Sequence, residues 1–265
     1  MEILAYCCAL VIGLIMGLSG AGGAILTVPV LVYLAMIEPV TATAYSLFIV
    51  GATSAFGTFQ NLRKGTVVLR TGLLYALPSI AGVFLARRLL LPALPEILFS
   101  TGDFDLTKGS LLMVVFSLLM FFAAISLLRK PGIGHPGGKK NPVALGLKIF
   151  LAGIVVGLVG AGGGFLFVPM LIFVAGLPMR NAAATSLLII ALNSAVGFAT
   201  SATLIDCDWI FLTVFSVIAI AGILIGISFS QKVNDARLKR GFGWFVLAMS
   251  FVIFSTEVVL PFIYS

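Results

Sequence analysis

Charge is what this chain has little of. Only 9% of its 265 residues are Asp, Glu, Lys or Arg, against about a quarter in a soluble domain. An aqueous globule of this size could not hide the apolar surface that remains. Histidine occurs once, at His135, in a basic stretch that reads as a solvated loop. The three cysteines, Cys7, Cys8 and Cys207, lie in or beside apolar segments without metal-ligand spacing, and they read as small packing residues. No nucleophile and base fall into a catalytic constellation. No glycine-rich loop ends in Lys-Ser or Lys-Thr, so an ATP-driven pump would need a partner chain. The chain is thus expected to be no enzyme, to carry no cofactor or metal, and to bind no nucleic acid.

What is present is hydrophobicity, with 61% apolar residues and a mean hydropathy of +1.22. Several segments run for about 20 residues without a charge, the length that spans a bilayer. Apolar runs of that length are helices, because an unpaired backbone is too costly in hydrocarbon. The chain reads as an all-α polytopic membrane protein. Met1-Glu2 opens it without a basic region and its first apolar stretch recurs downstream, so that stretch is expected to be retained structure and not a cleaved signal.

The recurrence is an internal repeat. A shift of 140 residues aligns 13–57 with 153–197 without a gap, and 20 of those 45 positions are identical. The shared residues include Gly17 and Gly157, the Gly-Ala-Gly-Gly of 20–23 and 160–163, and Val28-Pro29 with Val168-Pro169. Ser54-Ala55 and Ser194-Ala195 also match. The domains predicted are a first transmembrane repeat over 1–128, a basic cytoplasmic linker over 129–142, and a second transmembrane repeat over 143–265. Each half offers one long stretch broken by glycine, about 3–36 and 146–177, and three plain spans. These lie near 40–61, 67–91 and 109–128, then 181–204, 208–230 and 241–263, giving about eight hydrophobic spans in all.

A broken stretch of about 33 residues would be about 50 Å long as one helix, too long for a hydrocarbon core of about 30 Å. Two limbs of about 14 to 16 residues meeting at the glycines fit better as a re-entrant hairpin. Each half then makes an odd number of passages, and the two repeats are inverted. Charge supports that parity. With returning hairpins, 13 basic residues collect on the side of the linker and three, Arg87, Arg88 and Lys108, on the other. Single crossings would divide them 8 to 8. The positive-inside rule prefers the first arrangement, with the linker in the cytoplasm and the N-terminus outside.

Inverted halves with discontinuous helices are the construction of secondary transporters, which hold substrate near the midplane between the repeats. The amides opening the second limb of each hairpin are unpaired and carry the positive end of the helix dipole. The expected anion site is therefore Gly20, Ala21, Gly22 and Gly23 with Gly160, Ala161, Gly162, Gly163 and Gly164. Thr53, Ser54, Asn193 and Ser194 on the following helices are its candidate side-chain donors, with Ser46 and Ser186 on the same elements. The segments at lipid depth contain essentially no cation, which suits selection of an anion by dipoles. Gly13, Gly17, Gly153 and Gly157 are assigned to close helix packing. Asn193 fits a structural hydrogen bond between helices as well as it fits a site. Pro29 and Pro169 are expected to bend the second limbs. Arg180 could draw anions to the cytoplasmic entrance or simply anchor its helix inside. Glu257, an acid in the last span, is conceivable as a proton relay.

The doubled pattern, GLSGAGGAILTVP with TATAYSL and GLVGAGGGFLFVP with RNAAATSL, resembles the TauE/SafE sulfite exporter family over nearly the whole chain. The resemblance implies about eight spans from a duplicated four-span unit in the bacterial cytoplasmic membrane. It further implies movement of a small sulfur-containing anion, such as sulfite or an organosulfonate, by a secondary transporter. The sequence offers no carboxylate cluster to coordinate sodium, which favours coupling to protons or none. Thiosulfate and sulfate fit a dipole-lined pocket equally well. A passive anion channel on the same scaffold, or a membrane assembly subunit without flux of its own, are the alternatives.

Overall fold

The computed structural model describes residues 2–19, 22–101, 104–128, 142–160, 162–202, 205–229 and 235–259. Gly20, Ala21, Ala161, His135 and nearly all of the linker lie outside them. The all-α class holds for the apolar segments. Helix α1 is Glu2–Ser19, and α2, residues 22–34, is its returning limb. The first half continues with α3, Pro39–Arg63, α4, Leu69–Ala93, and α5, Lys108–Leu128. The second has α6, Pro142–Val159, α7, Gly164–Phe173, α8, Met179–Ser201, α9, Trp209–Phe229, and α10, Asp235–Phe254. Of these, α3, α4, α5, α8 and α9 are each long and apolar enough to cross a bilayer. A small antiparallel ribbon, β1 Ile97–Thr101 with β2 Phe104–Thr107, joins α4 to α5, pairing Ser100 with Asp105.

The spans follow their apolar runs closely except at the end of the chain. There α10 begins at Asp235, and its first turns carry Arg237, Lys239 and Arg240, polar turns that an apolar window cannot register. The broken stretches are less even than expected. Both leading limbs, α1 and α6, have 18 residues, about 27 Å of helix. The returning limbs are shorter, 13 residues in α2 (22–34) and 10 in α7. The leading limb of the second stretch is long because Pro142, Val143, Ala144 and Leu145 already belong to α6. The returning limbs are short because positive φ at Met36 and Gly176 ends them ahead of the next helix.

Packing repeats with the same 140-residue shift. Helix α1 lies along α9 and α6 along α4, while α3 crosses α8 and α5 pairs with α10. Gly13 touches the carbonyl of Ala219, and Gly153 touches the carbonyl of Ser79, its counterpart. Gly222 meets the carbonyl of Leu10 as Gly82 meets that of Phe150. A side chain at any of these four would enter backbone, so the four glycines set how closely the helices approach. At the crossing, Gly51 packs on Ser194. Gly57 sits against Ile223 and Leu187, as Gly197 does against Val83 and Leu47.

Two acids begin helices at one end of this bundle. The Glu38 carboxylate accepts from the amides of Val40 and Thr41, and Asp208 accepts from those of Ile210 and Phe211. At the same end, the Tyr45 hydroxyl donates to the carbonyl of Asp206 (3.1 Å) and accepts from the amide of Asp208 (2.7 Å). Tyr45→Phe is expected to cost about 1 kcal/mol, since it strips two bonds from the α8–α9 connection while keeping the ring. A lowered aggregation midpoint in detergent, with flux retained, is the check.

Candidate functional site

The second glycine break is the better defined of the two. Gly160, Gly162 and Gly163 all have positive φ, of 73°, 65° and 77°, which only glycine adopts without strain. They turn the chain from α6 into α7, whose cap is Gly163. The amides of Leu166 and Phe167 both close on the Gly163 carbonyl. The amides ahead of them, beginning at Gly164, belong to the turn that a helix start leaves unpaired. The break is clasped on two sides. Gly160 rests on the backbone and Cβ of Thr43 in α3. A Cβ at Gly162 would strike Val50 and Ile190 and lie 3.6 Å from the Ser194 hydroxyl.

The first break has a different local form. Gly22 opens a tight 3-10 turn through Leu26, and Gly23 is pressed against the Ile12 carbonyl and Met16, so α2 folds back on α1. Pro29 precedes a wide π turn over Val30–Leu34, and Pro169 lies inside α7. The two broken stretches touch, because α7 packs on residues Gly22–Leu26.

The predicted donors divide by what their protons do. Thr53 gives its hydroxyl proton to the Ile49 carbonyl at 2.7 Å, so it offers only lone pairs. Asn193 donates to the Ser79 hydroxyl at 2.7 Å, while its carbonyl oxygen is buried without a partner. The hydroxyls of Ser54 and Ser194 are buried and unpartnered, as is that of Ser46, whereas Ser186 donates to the Ala183 carbonyl. Asn193 thus makes the inter-helix bond of the packing reading, and its unpartnered atom is an acceptor, which by itself offers an anion nothing. Arg180 is exposed at the start of α8, away from the break. Glu257 accepts from the Tyr33 hydroxyl at 3.0 Å, tying the end of α2 to the turn after α10. Burial, and then the Asp206 carboxylate, push the Cys207 thiol up.

One expectation is overturned. The charge pattern puts Arg87 among the basic residues of the sparse outer side and leaves the lipid-depth segments with essentially no cation. Arg87 is in fact 1% exposed, on a π turn (Ala86–Leu90) that widens α4. Its Nη1 donates to the hydroxyls of Thr43 (3.2 Å) and Ser201 (3.4 Å). Its Nε and Nη2 are buried with no partner among the described residues. Since Thr43 also carries Gly160, the cation stands beside the second break. Arg88, its neighbour, is exposed. The sign that could have found Arg87 is its flanks: VFLA and LLLP continue the apolar run on both sides of the pair.

The arrangement is therefore a buried, asymmetric polar cluster at a helix break. The positions 140 residues from Arg87, Thr43 and Ser79 are Ile227, Ala183 and Ala219, all apolar. The cluster's oriented N–H and O–H groups are the kind a small anion would need. Among the described residues, no group of three His, Cys, Asp or Glu could hold a metal ion.

Comparison with known proteins agrees with a transport role. The sulfite exporter TauE/SafE family model matches residues 5–253. A protein of Xylella fastidiosa described as a probable membrane transporter protein is 29% identical over 247 residues, covering 90% of this chain and 89% of its own. The probable membrane transporter protein YunE of Bacillus subtilis is 27% identical over 250 residues, covering 86% and 89%. No solved structure matches. With the match running through both breaks and all five long spans, the chain belongs to the TauE/SafE sulfite exporter family and is a multi-pass membrane transporter.

Proposed function

We propose that this protein is a secondary transporter that exports a small sulfur oxyanion or organosulfonate across the bacterial cytoplasmic membrane. Transport proceeds by alternating access between two inverted halves. The anion is held where the breaks meet, by the amides at Gly22, Gly23, Gly163 and Gly164, by the hydroxyls of Ser54 and Ser194, and by the second N–H of the Asn193 amide, whose first serves Ser79. Gly160 and Gly162 shape the backbone around it, Gly20, Ala21 and Ala161 of the expected site lie outside the described residues, and Thr53 can only accept. The observation that carries this reading is the pair of buried, unpartnered hydroxyls on Ser54 and Ser194, the latter 3.6 Å from a Cβ placed on the positive-φ Gly162. Buried polar atoms without partners are rare in packing alone. The linker 129–142 lies in the cytoplasm and the N-terminus outside. With Arg87 drawn into the interior, the outer side loses one of its three basic residues, which sharpens the charge asymmetry. Arg180, exposed at the start of α8, then stands at the cytoplasmic mouth and draws anions in.

Flux into proteoliposomes holding only this protein tests the proposal, with sulfite, thiosulfate, sulfate and sulfoacetate offered in turn and internal pH recorded. Saturable movement of one sulfur anion is the expected result, and an accompanying pH change identifies coupled protons. Unsaturable flux at channel rates would replace the transporter with a passive pore. No flux for any of the four would remove the sulfur-anion assignment.

A further inference from the structure

We propose that Arg87 is the charged ligand of the transported anion, and that the second glycine break alone is the charged half of the site. The inference rests on the anion-transport reading above and assigns its chemistry to one side chain. A guanidinium has five N–H donors in a plane. Here Nη1 is used by the hydroxyls of Thr43 and Ser201. Those hydroxyls have spent their own protons, Thr43 on the Val40 carbonyl (2.7 Å) and Ser201 on the Gly197 carbonyl (2.9 Å), so they serve the arginine purely as acceptors. The two contacts clamp one corner of the plane and leave the opposite Nε–Nη2 edge without a partner. That edge is the side-on fork that takes two oxygens of one anionic group.

Electrostatics requires a negative partner. An ion buried in this way costs several kcal/mol unless it is paired, and no carboxylate bonds Arg87 among the described residues. The exposed Arg88 on the same turn shows that α4 can place an arginine outward at this level. Burial of Arg87 is thus a feature of its own position. The ligand class comes from the fork: an anion presenting two oxygens from one centre, such as sulfite or a sulfonate, in preference to chloride. Thr43 links the fork to Gly160, and the turn runs on to Gly162 beside Ser194. One oxyanion can therefore be held by the guanidinium edge on one side and by break amides on the other. At the first break the matching position is Ile227, on α9, so that break offers amides without a cation. The halves are alike in backbone and unlike in charge.

The test is anion binding to purified protein, read as thermal stabilisation by sulfite, sulfoacetate and chloride, alongside flux in proteoliposomes. Wild type and Arg88→Gln should be stabilised by sulfite or sulfoacetate and not by chloride. Arg87→Gln should weaken that binding about a hundredfold, the loss of two charge-assisted bonds. Arg87→Lys should weaken it about tenfold, because a point charge replaces a fork. Should Arg87→Gln fail to fold, Arg87→Lys and Thr43→Val decide, the latter weakening binding several-fold by freeing the clamped corner. Unchanged affinity in the Arg87 variants, or no oxyanion binding by wild type, overturns the inference. Wild-type sulfite flux that persists in Arg87→Gln sinks this assignment while leaving the transport reading intact. Oxyanion binding that needs Arg87, with no flux in wild type, does the reverse.

Discussion

Gly153→Ala should leave far less folded protein in the membrane than Gly146→Ala, although both sites lie on α6 and both changes add one methyl group. A Cβ at 153 would enter the Ser79 carbonyl and approach its Cα at 2.8 Å, whereas nothing lies within 4 Å of one at 146. Backbone cannot step aside as a side chain can, so α6 and α4 must separate. Overpacking of this kind costs about 1 to 3 kcal/mol, sometimes more, and close backbone approach is the main attraction between helices in lipid. The separation would also reach the site, because Ser79 is the partner of Asn193. Gly13→Ala should behave in the same way through Ala219. The measurement is the yield of monodisperse protein and its aggregation midpoint in detergent. Equal behaviour of Gly146→Ala and Gly153→Ala would mean that α4 and α6 are not packed as closely as described.

Much of the fold is legible in the amino-acid sequence alone. A 140-residue shift with twenty identities places the breaks and the spans, and the glycines assigned to packing do press on neighbouring helices, as Gly23 and Gly160 of the expected site also do. Those features survive because they depend on local rules: a bilayer sets the span, and three small residues in a row end a helix. Arg87 is not legible, for a physical reason. Two arginines near the end of an apolar run read as an interface, and only the π turn at Ala86–Leu90 sends one inward and leaves the other outside. One extra residue in a turn rotates the rest of the helix by about 100°, which periodicity cannot anticipate. Thr53 shows the opposite limit. Its face is the expected one, but the i−4 carbonyl takes its proton. The short returning limbs of the hairpins also escape a hydropathy reading, since positive φ at Met36 and Gly176 ends them inside runs that stay apolar.

Asn193→Leu is expected to reduce sulfur-anion flux about tenfold or more while leaving the protein close to wild-type stability. The amide is fully buried on α8, with one group bonded to Ser79 and its oxygen bonded to nothing. Leucine removes that orphaned oxygen together with the bond, and replacing an under-paired amide by an apolar group of similar size is nearly neutral. Ser79, losing its partner, can turn its hydroxyl to a carbonyl of its own helix. The loss should therefore fall on transport, where the Asn193 amide, next along α8 to Ser194, is replaced by methyl groups. Ser194→Ala tests the same helix from the adjacent residue, and since its hydroxyl bonds no other group, its removal costs the fold little. Flux at saturating and at low substrate separates the causes. A rise in KM with an unchanged maximum rate means weaker holding of the anion. A lower maximum at unchanged KM means that α8 must keep its bond to α4 for the halves to move. Normal flux in both variants would return the α3–α8 crossing to packing and leave the anion to the backbone of the breaks.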